Sequence, residues 1–443
     1  MTDSPKAAPI TEEYFGARLA ALGVEKSFAV AVSGGRDSMA LARLSAAYGK
    51  NKGIAVMALT VDHGLRPEAA DEAAKVSAWC KAAGLEHRTL VWEGVKPATG
   101  VQNAARRARY RMLAQAANDA GVDAILTAHN ADDQAETVFM RLARGAGPKG
   151  LSAMRESGWI ADGAGSPVRL LRPLLSVPRA QLTATAAAFD QPYVDDPSND
   201  DPSYERIKTR ALMAALEEQG LLTQNALLRM AGRMQVASRL LKEREDALFQ
   251  TLSGCFFRWG GVCVDLHKIA AMATDDVSGL CRRLIFAVCG QDYAPDAEAV
   301  GEAFNNAITT GAATLGGALL KAHGERLWFL REPAALLGRA GSEALAPVSV
   351  NAGKAVLWDN RFIITVPSGQ VDAAISPLGV RSAPSGAFDR AISAPDAARA
   401  AMPGVYCDGV LIGAPDALFN ANKGVSFTSL CSERFAGEII RFS

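Results

Sequence analysis

The amino-acid sequence predicts an α/β protein: a doubly wound parallel sheet, followed by a mainly helical domain and a small strand-rich C-terminal domain. Three observations support this fold class. Short apolar runs alternate with longer helical patterns up to Gly145, as in parallel sheets whose strands are joined by helices. The chain has 443 residues, enough for about three domains of about 150 residues each. Its composition, 49% apolar and 21% charged, is that of a globular protein with a buried core.

Four apolar runs have the length and β-branched content of buried parallel strands. They cover residues 28–32, 54–61, 85–92 and 124–128. The helical patterns between and after them cover residues 38–47, 68–83, 101–120 and 132–144. Right-handed crossovers then give an open sheet with helices on both faces. In such sheets the ligand crevice lies at the carboxyl ends of the strands.

The remainder of the chain predicts two further domains. Glycine and proline clusters mark residues 145–203, and helical patterns resume at about residue 204. A hairpin-like segment covers residues 314–330, and residues 338–347 have the composition of a linker. We therefore expect a nucleotide-binding catalytic domain at 1–220, a helical domain at 221–340 and a small domain at 341–443.

Charge and cysteine content exclude several classes of protein. The 47 Lys and Arg residues balance 47 Asp and Glu residues, which argues against indiscriminate binding to nucleic acid or anionic membranes. No apolar stretch reaches 18 residues, and the N-terminus lacks a signal-peptide core, so we expect a cytoplasmic protein. The seven cysteines form no CxxC pair, which predicts buried free thiols and no disulfide framework or zinc ribbon.

The segment SGGRDS, which joins the first predicted strand to the first helix, carries the clearest chemical signal. Two glycines let backbone N–H groups approach a phosphate, and the helix dipole adds positive charge there. The two serines can donate hydroxyl hydrogen bonds, and Asp37 can hold a metal ion that bridges phosphate oxygens. A capped tight turn is the alternative explanation. The candidate phosphate-binding residues are Ser33, Gly34, Gly35, Arg36, Asp37 and Ser38.

Two other glycine motifs do not compete with this loop. No GxxxxGK[ST] sequence occurs, so the loop is not a Walker A loop. A GxGxxG sequence at Gly145, Gly147 and Gly150 follows a helix, not a strand, and therefore lacks the context of a dinucleotide-binding turn.

The SGGRDS segment resembles the signature of the PP-loop ATP pyrophosphatases. The resemblance implies the adenine nucleotide alpha hydrolase-like fold. Three further segments are similar to the tRNA(Ile)-lysidine synthetase branch of that family: VDHGLR at 61–66, ARRARY at 105–110 and HNADDQAET at 129–137. Each of the segments 33–38, 61–66 and 129–137 follows a predicted strand. The motif RPLL at 172–175 and the arginines Arg206 and Arg210 extend the resemblance over about 210 residues.

The resemblance implies a ligase that uses ATP and Mg²⁺. In this family ATP activates the 2-carbonyl oxygen of the wobble cytidine in an isoleucine tRNA with a CAU anticodon. The ε-amine of free L-lysine then displaces AMP and forms lysidine. Catalytic roles are implied for Asp37, Arg106, His129 and Asp133. Asp37 and Asp133 would hold the metal ion, and the lysine or metal pocket would comprise Asp132, Asp133 and Glu136.

Other residues are expected to contact nucleotide or RNA. Asp62, His63 and Arg66 follow the second strand, where the family places adenosine and the substrate loop. Arg106 and Arg109 could extend from one helix face toward phosphates, and Tyr110 could stack on a base. A solvated basic helix face is the alternative for the arginines, and a turn at the end of the strand is the alternative for Asp62 and His63.

The sequence departs from the family pattern at two positions, with Asn130 where a histidine is usual and Ile207 where an asparagine is usual. Two other functions compete with lysidine synthesis: a PP-loop tRNA thiolase and a non-catalytic nucleotide or tRNA binder. A thiolase needs cysteine nucleophiles, yet Cys80 is alone in the first 250 residues. A binder has less need for the acids Asp37, Asp132 and Asp133.

Overall fold

The computed structural model describes residues 7–64, 68–93, 96, 100–160, 167–194, 205–291, 293–339, 343–353, 355–367, 373–379, 394–415 and 424–437. The predicted contact residue Arg66 and the acidic segment 195–202 lie outside these ranges. The chain divides into two compact units. The first comprises the described residues up to 160 and those of 167–241, and the second those from 242 onward.

The first unit contains a six-stranded sheet. Its strands are β1 Phe28–Ala31, β2 Val56–Asp62, β3 Glu86–Val91, β4 Ala124–Leu126, β5 Ser157–Ile160 and β6 Val168–Leu171. Their order is β3-β2-β1-β4-β6-β5, and all pairs are parallel except β5 with β6. The doubly wound parallel sheet predicted from the sequence is therefore confirmed, with an antiparallel edge strand that the sequence patterns did not indicate.

The helices of the first unit cover both faces of this sheet or pack on the helices that do. They are α1 Glu12–Ala21, α2 Arg36–Lys52, α3 Ala69–Ala82, α4 Val101–Ala120, α5 Ala131–Ala143, α6 Pro148–Leu151, α7 Arg179–Ala188, α8 Glu205–Glu218 and α9 Gln224–Thr251. Alternate residues of β1 face opposite sides. Phe28 and Val30 join a core with α1, α2 and α7, whereas Ala29 and Ala31 pack in a second core against α4.

The order of strands places two loops side by side. Strand β1 pairs with β2 on one side and with β4 on the other. The strands β1 to β3 are therefore added toward one edge of the sheet, and β4 is added on the opposite side of β1. In doubly wound sheets this reversal opens the crevice in which ligands bind. The loop after β1 contains residues 33–35, and the loop after β4 contains residues 127–130. These are the two loops that carry the predicted chemistry.

The second unit begins within α9, and its described residues form three antiparallel sheets. The first sheet has the order β7-β8-β11-β10-β9 and packs against helices α11 and α12. Its elements are β7 Cys255–Phe256, β8 Val262–Asp265, α10 Leu266–Ala270, α11 Thr274–Val288, α12 Ala297–Thr310, β9 Ala312–Leu315, β10 Ala318–His323, β11 Arg326–Arg331 and α13 Ala334–Leu337. The predicted hairpin is present as β10 and β11, and it belongs to a larger sheet than the sequence indicated.

The C-terminal part of the second unit is rich in short strands, as predicted. Its elements are β12 Val348–Val350, β13 Ala355–Trp358, β14 Phe362–Thr365, β15 Ala373–Pro377, α14 Asp396–Ala400, β16 Pro403–Cys407, β17 Val410–Gly413, β18 Ser426–Ser429 and α15 Cys431–Ala436. They form sheets of order β12-β15-β16-β17 and β13-β14-β18. No helix in the described part of the chain is both long and apolar enough to span a membrane.

Candidate active site at the ends of strands β1 and β4

The loop after β1 requires glycine at position 34. Gly34 has φ +87°, a backbone conformation that side chains disfavour. A Cβ atom there would lie 2.8 Å from Cγ2 of the buried Val76. The carbonyl oxygen of Gly34 accepts a hydrogen bond from the backbone N–H of Val194, 2.9 Å away. The loop is thus fixed in one conformation by sterics on one side and a hydrogen bond on the other.

This loop leaves a row of backbone donors at the start of the 17-residue helix α2. Within the described residues, the N–H groups of Gly34, Gly35, Arg36 and Asp37 donate no hydrogen bond. Gly35 is the N-cap of α2, and no side chain caps the helix. Four free N–H groups at the positive end of a helix dipole form a binding site for an anion such as phosphate.

The side chains of Ser33 and Ser38 are hydrogen-bonded to each other. Ser38 Oγ donates to the carbonyl oxygen of Gly35 at 2.8 Å, and it accepts from both the N–H and the hydroxyl of Ser33 at 3.2 Å. Both hydroxyl groups are therefore used to shape the turn, and the backbone supplies the donors that remain for a ligand.

Asn130 joins the two loops. It is the N-cap of α5 and forms a reciprocal capping box with Asp133, with both hydrogen bonds at 3.1 Å. Its amide Nδ2 also donates to Asp37 Oδ2 at 2.9 Å. An amide has no acid or base function, but here it orients Asp37 toward the start of α5. The departure from the family pattern at this position is therefore compatible with an ordered site.

Arg179, at the start of α7, contacts acids in the first turns of α2 and α5, the helices that follow the two loops. Its Nε donates to Asp37 Oδ2 at 3.2 Å, and its Nη2 donates to Asp133 Oδ1 at 2.9 Å. The backbone N–H of Arg179 donates to Asp132 Oδ2 at 2.8 Å. Burial opposes the charge of the guanidinium, yet the carboxylates of Asp133, Asp37 and Glu136 raise the pKa of Arg179. The sequence patterns did not single out this residue.

Glu136 lies one helical turn beyond Asp133 and has a side chain only 3% exposed. Arg210 of α8 pairs with it, with Nε 2.6 Å from Oε1. Nη1 of Arg179 lies 3.6 Å from the same oxygen. Helices α5, α8 and α9 pack through a shared apolar cluster that contains Val138, Met213 and Leu227. This packing brings Arg210 to the acids of α5.

One carboxylate oxygen of Asp37 accepts no hydrogen bond. Its Oδ1 is buried and forms no hydrogen bond in the described structure, and Nε of Arg36 lies 3.6 Å away. Burial raises the pKa of Asp37, opposed by the nearby charges of Arg179 and Arg36 and reinforced by Asp133. No group of three or more His, Cys, Asp or Glu residues is arranged to hold a metal ion within the described ranges.

A basic patch lies beside these acids around His129. Nδ1 of His129 shares a hydrogen bond of 2.9 Å with the hydroxyl of Thr127. Burial and four arginine charges lower the pKa of His129 well below its usual value, so the ring is neutral at pH 7. These arginines, which we call the arginine patch, are Arg106, Arg109, Arg172 and Arg206. His129 can therefore donate or accept a hydrogen bond but adds no charge.

Tyr110 does not offer the stacking face predicted from the sequence. Its side chain is 3% exposed and packs in the core between α4 and the sheet. The guanidinium carbons of Arg106 and Arg109 lie 5.1 Å and 5.7 Å from the centre of its ring. The ring therefore packs against the guanidinium groups of these two arginines and is not available to stack on a base.

The residues after β2 form a separate turn. Asp62 Oδ1 accepts a hydrogen bond of 2.8 Å from the N–H of Gly64. His63 packs edge-on against Trp92, and its buried Nδ1 has no hydrogen-bond partner among the described residues. Burial and the charge of Arg109 lower the pKa of His63. An unpaired polar atom at this sheet edge is consistent with a contact to a ligand.

Comparisons with known proteins identify the family. The model of the PP-loop domain family matches residues 11–216. A tRNA(Ile)-lysidine synthase of Methylobacterium nodulans is 39% identical over 341 residues, which cover 74% of this chain and 97% of the relative. The chain belongs to the tRNA(Ile)-lysidine synthase family. The Ruegeria pomeroyi synthase is 34% identical across 87% of both chains, and that of Rhodopseudomonas palustris is 48% identical over 51% of this chain and 64% of the relative.

Membership in the lysidine synthases confirms the function predicted from the sequence. The enzyme is a ligase with an ATP-binding PP-loop domain, and its substrates are tRNA(Ile) and lysine. The thiolase alternative is also chemically poor, because burial raises the pKa of the Cys80 thiol to about 11. Such a thiol stays protonated and is a weak nucleophile at neutral pH.

Proposed function

We propose that the crevice between β1 and β4 performs both half-reactions of lysidine synthesis in the cytoplasm, on an isoleucine tRNA with a CAU anticodon. In the first, the 2-carbonyl oxygen of the wobble cytidine attacks the α-phosphorus of ATP and pyrophosphate leaves. In the second, the ε-amine of L-lysine attacks C2 of the adenylylated cytidine, AMP leaves and the amine loses a proton. The observation that carries this proposal is the adjacency of three parts: the free N–H row at residues 34–37, the acids around Arg179 and the arginine patch.

The free N–H row is suited to the phosphates of ATP. Negative charge accumulates on the pyrophosphate as it leaves, and donors that are already oriented stabilise such charge without reorganisation. The loop is held rigid by Gly34 and by the hydrogen bonds between Ser33 and Ser38. Arg36 and Asp37 contribute N–H groups from the first turn of α2. These residues are proposed to bind the nucleotide.

The residues around Asp37 fit a magnesium ion. Mg²⁺ prefers carboxylate oxygens and usually takes one or two of them together with substrate phosphates. Asp37 offers a buried oxygen, Oδ1, that accepts no hydrogen bond, and Asp133 lies in the first turn of the neighbouring helix α5. These two residues would hold the ion. Bound there, it would neutralise charge on the phosphate oxygens.

The acids at the start of α5 are proposed to bind the lysine substrate. Its ε-ammonium is a cation, and Asp132, Asp133 and Glu136 present carboxylates on one helical turn and the next. Attack requires the neutral amine, so a nearby carboxylate or water must accept a proton. His129, held neutral by its surroundings, is proposed to hydrogen-bond the cytidine carbonyl or a phosphate. Asp62, His63 and Arg66 are proposed to contact adenosine or the base.

The arginine patch is proposed to bind the anticodon loop of the tRNA. Arg106 is exposed and Arg109 is partly exposed, and both are supported by the ring of Tyr110. Arg206 is exposed at the first turn of α8. Arginines in such an arrangement suit phosphate recognition. A local patch also explains how a chain of zero net charge binds one RNA.

Replacing both Arg106 and Arg109 with glutamine should weaken tRNA binding by about tenfold or more and reduce its salt dependence. Each lost phosphate contact lowers the slope of log K against log salt by about 0.7 to 0.9. Binding is measured by filter retention at several salt concentrations. As a control, Arg88→Gln removes an arginine that pairs with Glu86 on β3. An unchanged slope in the double variant would assign these arginines to a solvated surface.

The proposed two-step reaction is tested by product analysis with purified protein. Pyrophosphate should form from ATP only when the tRNA is present, and AMP should appear with lysidine only when L-lysine is added. Nucleoside analysis of the tRNA by mass spectrometry identifies lysidine directly. Pyrophosphate release that ignores the tRNA would contradict the proposal. ATP and tRNA binding without any turnover would favour the non-catalytic binder, and sulfur incorporation would favour the thiolase.

A further inference from the structure

One guanidinium ties together the acids of the proposed site. Arg179 contacts Asp37 in the first turn of α2, which follows β1, and it contacts Asp133 and Glu136 on α5, which follows β4. Its side chain is 21% exposed, so it lies inside the site and not on the outer surface. Asp37 follows strand β1 in the chain, whereas Asp133 and Glu136 follow strand β4. Each of the three guanidinium nitrogens of Arg179 contacts one of these acids.

Negative charge exceeds positive charge in this acid cluster, and Arg179 offsets part of the excess. Four carboxylates converge there, those of Asp37, Asp132, Asp133 and Glu136. Three guanidinium groups oppose them, but Arg210 contacts only Glu136 and Arg36 only Asp37. Without Arg179, Asp37 and Asp133 would repel each other, and the hydrogen bond from Asn130 would be the remaining tie on Asp37 apart from the ion pair with Arg36.

We propose that Arg179 is a positioning residue that acts as the resident cation of this acid cluster, and that the ammonium group of the lysine substrate competes with it for the same carboxylates. This inference rests on the proposed lysine pocket. It follows that the negative charge of the ligand-free site is already partly offset and its acids are aligned, and that lysine binds more weakly as a result. A guanidinium suits this role because its fixed fork of donors can engage several carboxylates at once, which an ammonium group cannot.

The expected signature of competition is a fall in both kcat and the KM for lysine in Arg179→Ala. kcat should fall by about 100-fold, because misplacement of reacting groups by about 1 Å costs that much. The KM for lysine, and its dissociation constant measured by calorimetry without ATP, should fall by about threefold or more, because a competing positive charge is gone. Arg179→Lys keeps the charge and should keep the lysine affinity of the wild type. Its kcat should lie between that of the wild type and that of Arg179→Ala.

The matched control is Arg18→Ala. Arg18 belongs to the same unit, its side chain is 24% exposed, and it pairs with Glu156. It should change thermal stability by a similar amount and leave both kinetic constants unchanged. A merely structural role for Arg179 would lower kcat together with the unfolding temperature and would raise or preserve the lysine KM. Either that result or an unchanged kcat would overturn the inference.

Failure of the proposed pocket gives a different result. If lysine bound elsewhere, calorimetry would give the same lysine affinity for the wild type, Arg179→Ala, and an Asp132→Asn variant. If instead the pocket is correct and only the role of Arg179 is wrong, Asp132→Asn would weaken lysine binding while Arg179→Ala would not strengthen it. The two hypotheses are therefore separated by one set of titrations.

Discussion

Asp37→Asn should lower the rate of tRNA-dependent pyrophosphate release by at least about 1000-fold, equivalent to about 4 kcal/mol of transition-state stabilisation. The substitution preserves the shape of the side chain and removes its charge. An amide oxygen is a poor ligand for Mg²⁺ compared with a carboxylate, so neutralisation of the phosphate charge should be lost. The rate is measured with saturating tRNA and lysine, so that binding defects do not mask the chemical step.

The same substitution should not destabilise the fold. Burial raises the pKa of Asp37 above that of the unfolded chain. For an acid with a raised pKa, the stability contribution is present below the unfolded pKa and is lost as the pH rises through the folded pKa. The fold therefore favours the uncharged form of this side chain, and Asp37→Asn should leave the unfolding temperature unchanged or raise it.

Asp71→Asn is the matched control for Asp37→Asn. Asp71 is an exposed acid in the first turn of α3, and its substitution should leave pyrophosphate release unchanged. Residual turnover within tenfold of the wild type in Asp37→Asn would remove Asp37 from the metal-binding role. A large loss of stability would instead show that its hydrogen bonds with Asn130 and Arg179 hold the loops together.

The parts of the site that the sequence predicts are those formed by neighbouring residues. Residues 33–38 directly follow a buried strand, and the order of strands places them beside residues 129–133. The rule that ligands bind at the carboxyl ends of parallel strands is therefore sufficient to predict both segments. Arg179 could not be found in this way, because it is 142 residues from Asp37 in the sequence. Its position depends on strand β6 and on the start of α7, neither of which has a strong sequence pattern.

Tyr110 illustrates the opposite difficulty, in which local sequence suggested the wrong environment. Its arginine neighbours indicated an exposed basic surface. Yet Tyr110, Leu113, Ala114 and Ala117 recur at helical spacing and form the face of α4 that packs on the sheet. The apolar periodicity of the helix was the better guide to burial. The charged neighbours of Tyr110 reach the surface from the adjacent face.

Gly34→Ala should weaken ATP binding by about 100-fold and lower the free energy of unfolding by about 2 to 4 kcal/mol. A side chain at a positive φ costs about 1 to 3 kcal/mol. The added Cβ would also lie 2.8 Å from Cγ2 of Val76, which is buried and has little room to move. Relief of this contact requires a change in the loop backbone. The free N–H groups of residues 34–37 would then no longer point toward one phosphate.

Gly53→Ala separates backbone strain from the geometry of the phosphate loop. Gly53 ends α2 with φ +66°, and a Cβ there would meet no atom within 4 Å. Its substitution should cost about 1 kcal/mol of stability and leave ATP binding unchanged, as measured by denaturant unfolding and calorimetry. If Gly34→Ala kept the wild-type affinity for ATP, the loop would not be the phosphate site. If both variants lost affinity equally, the effect would come from α2 as a whole, because the two glycines lie at its opposite ends.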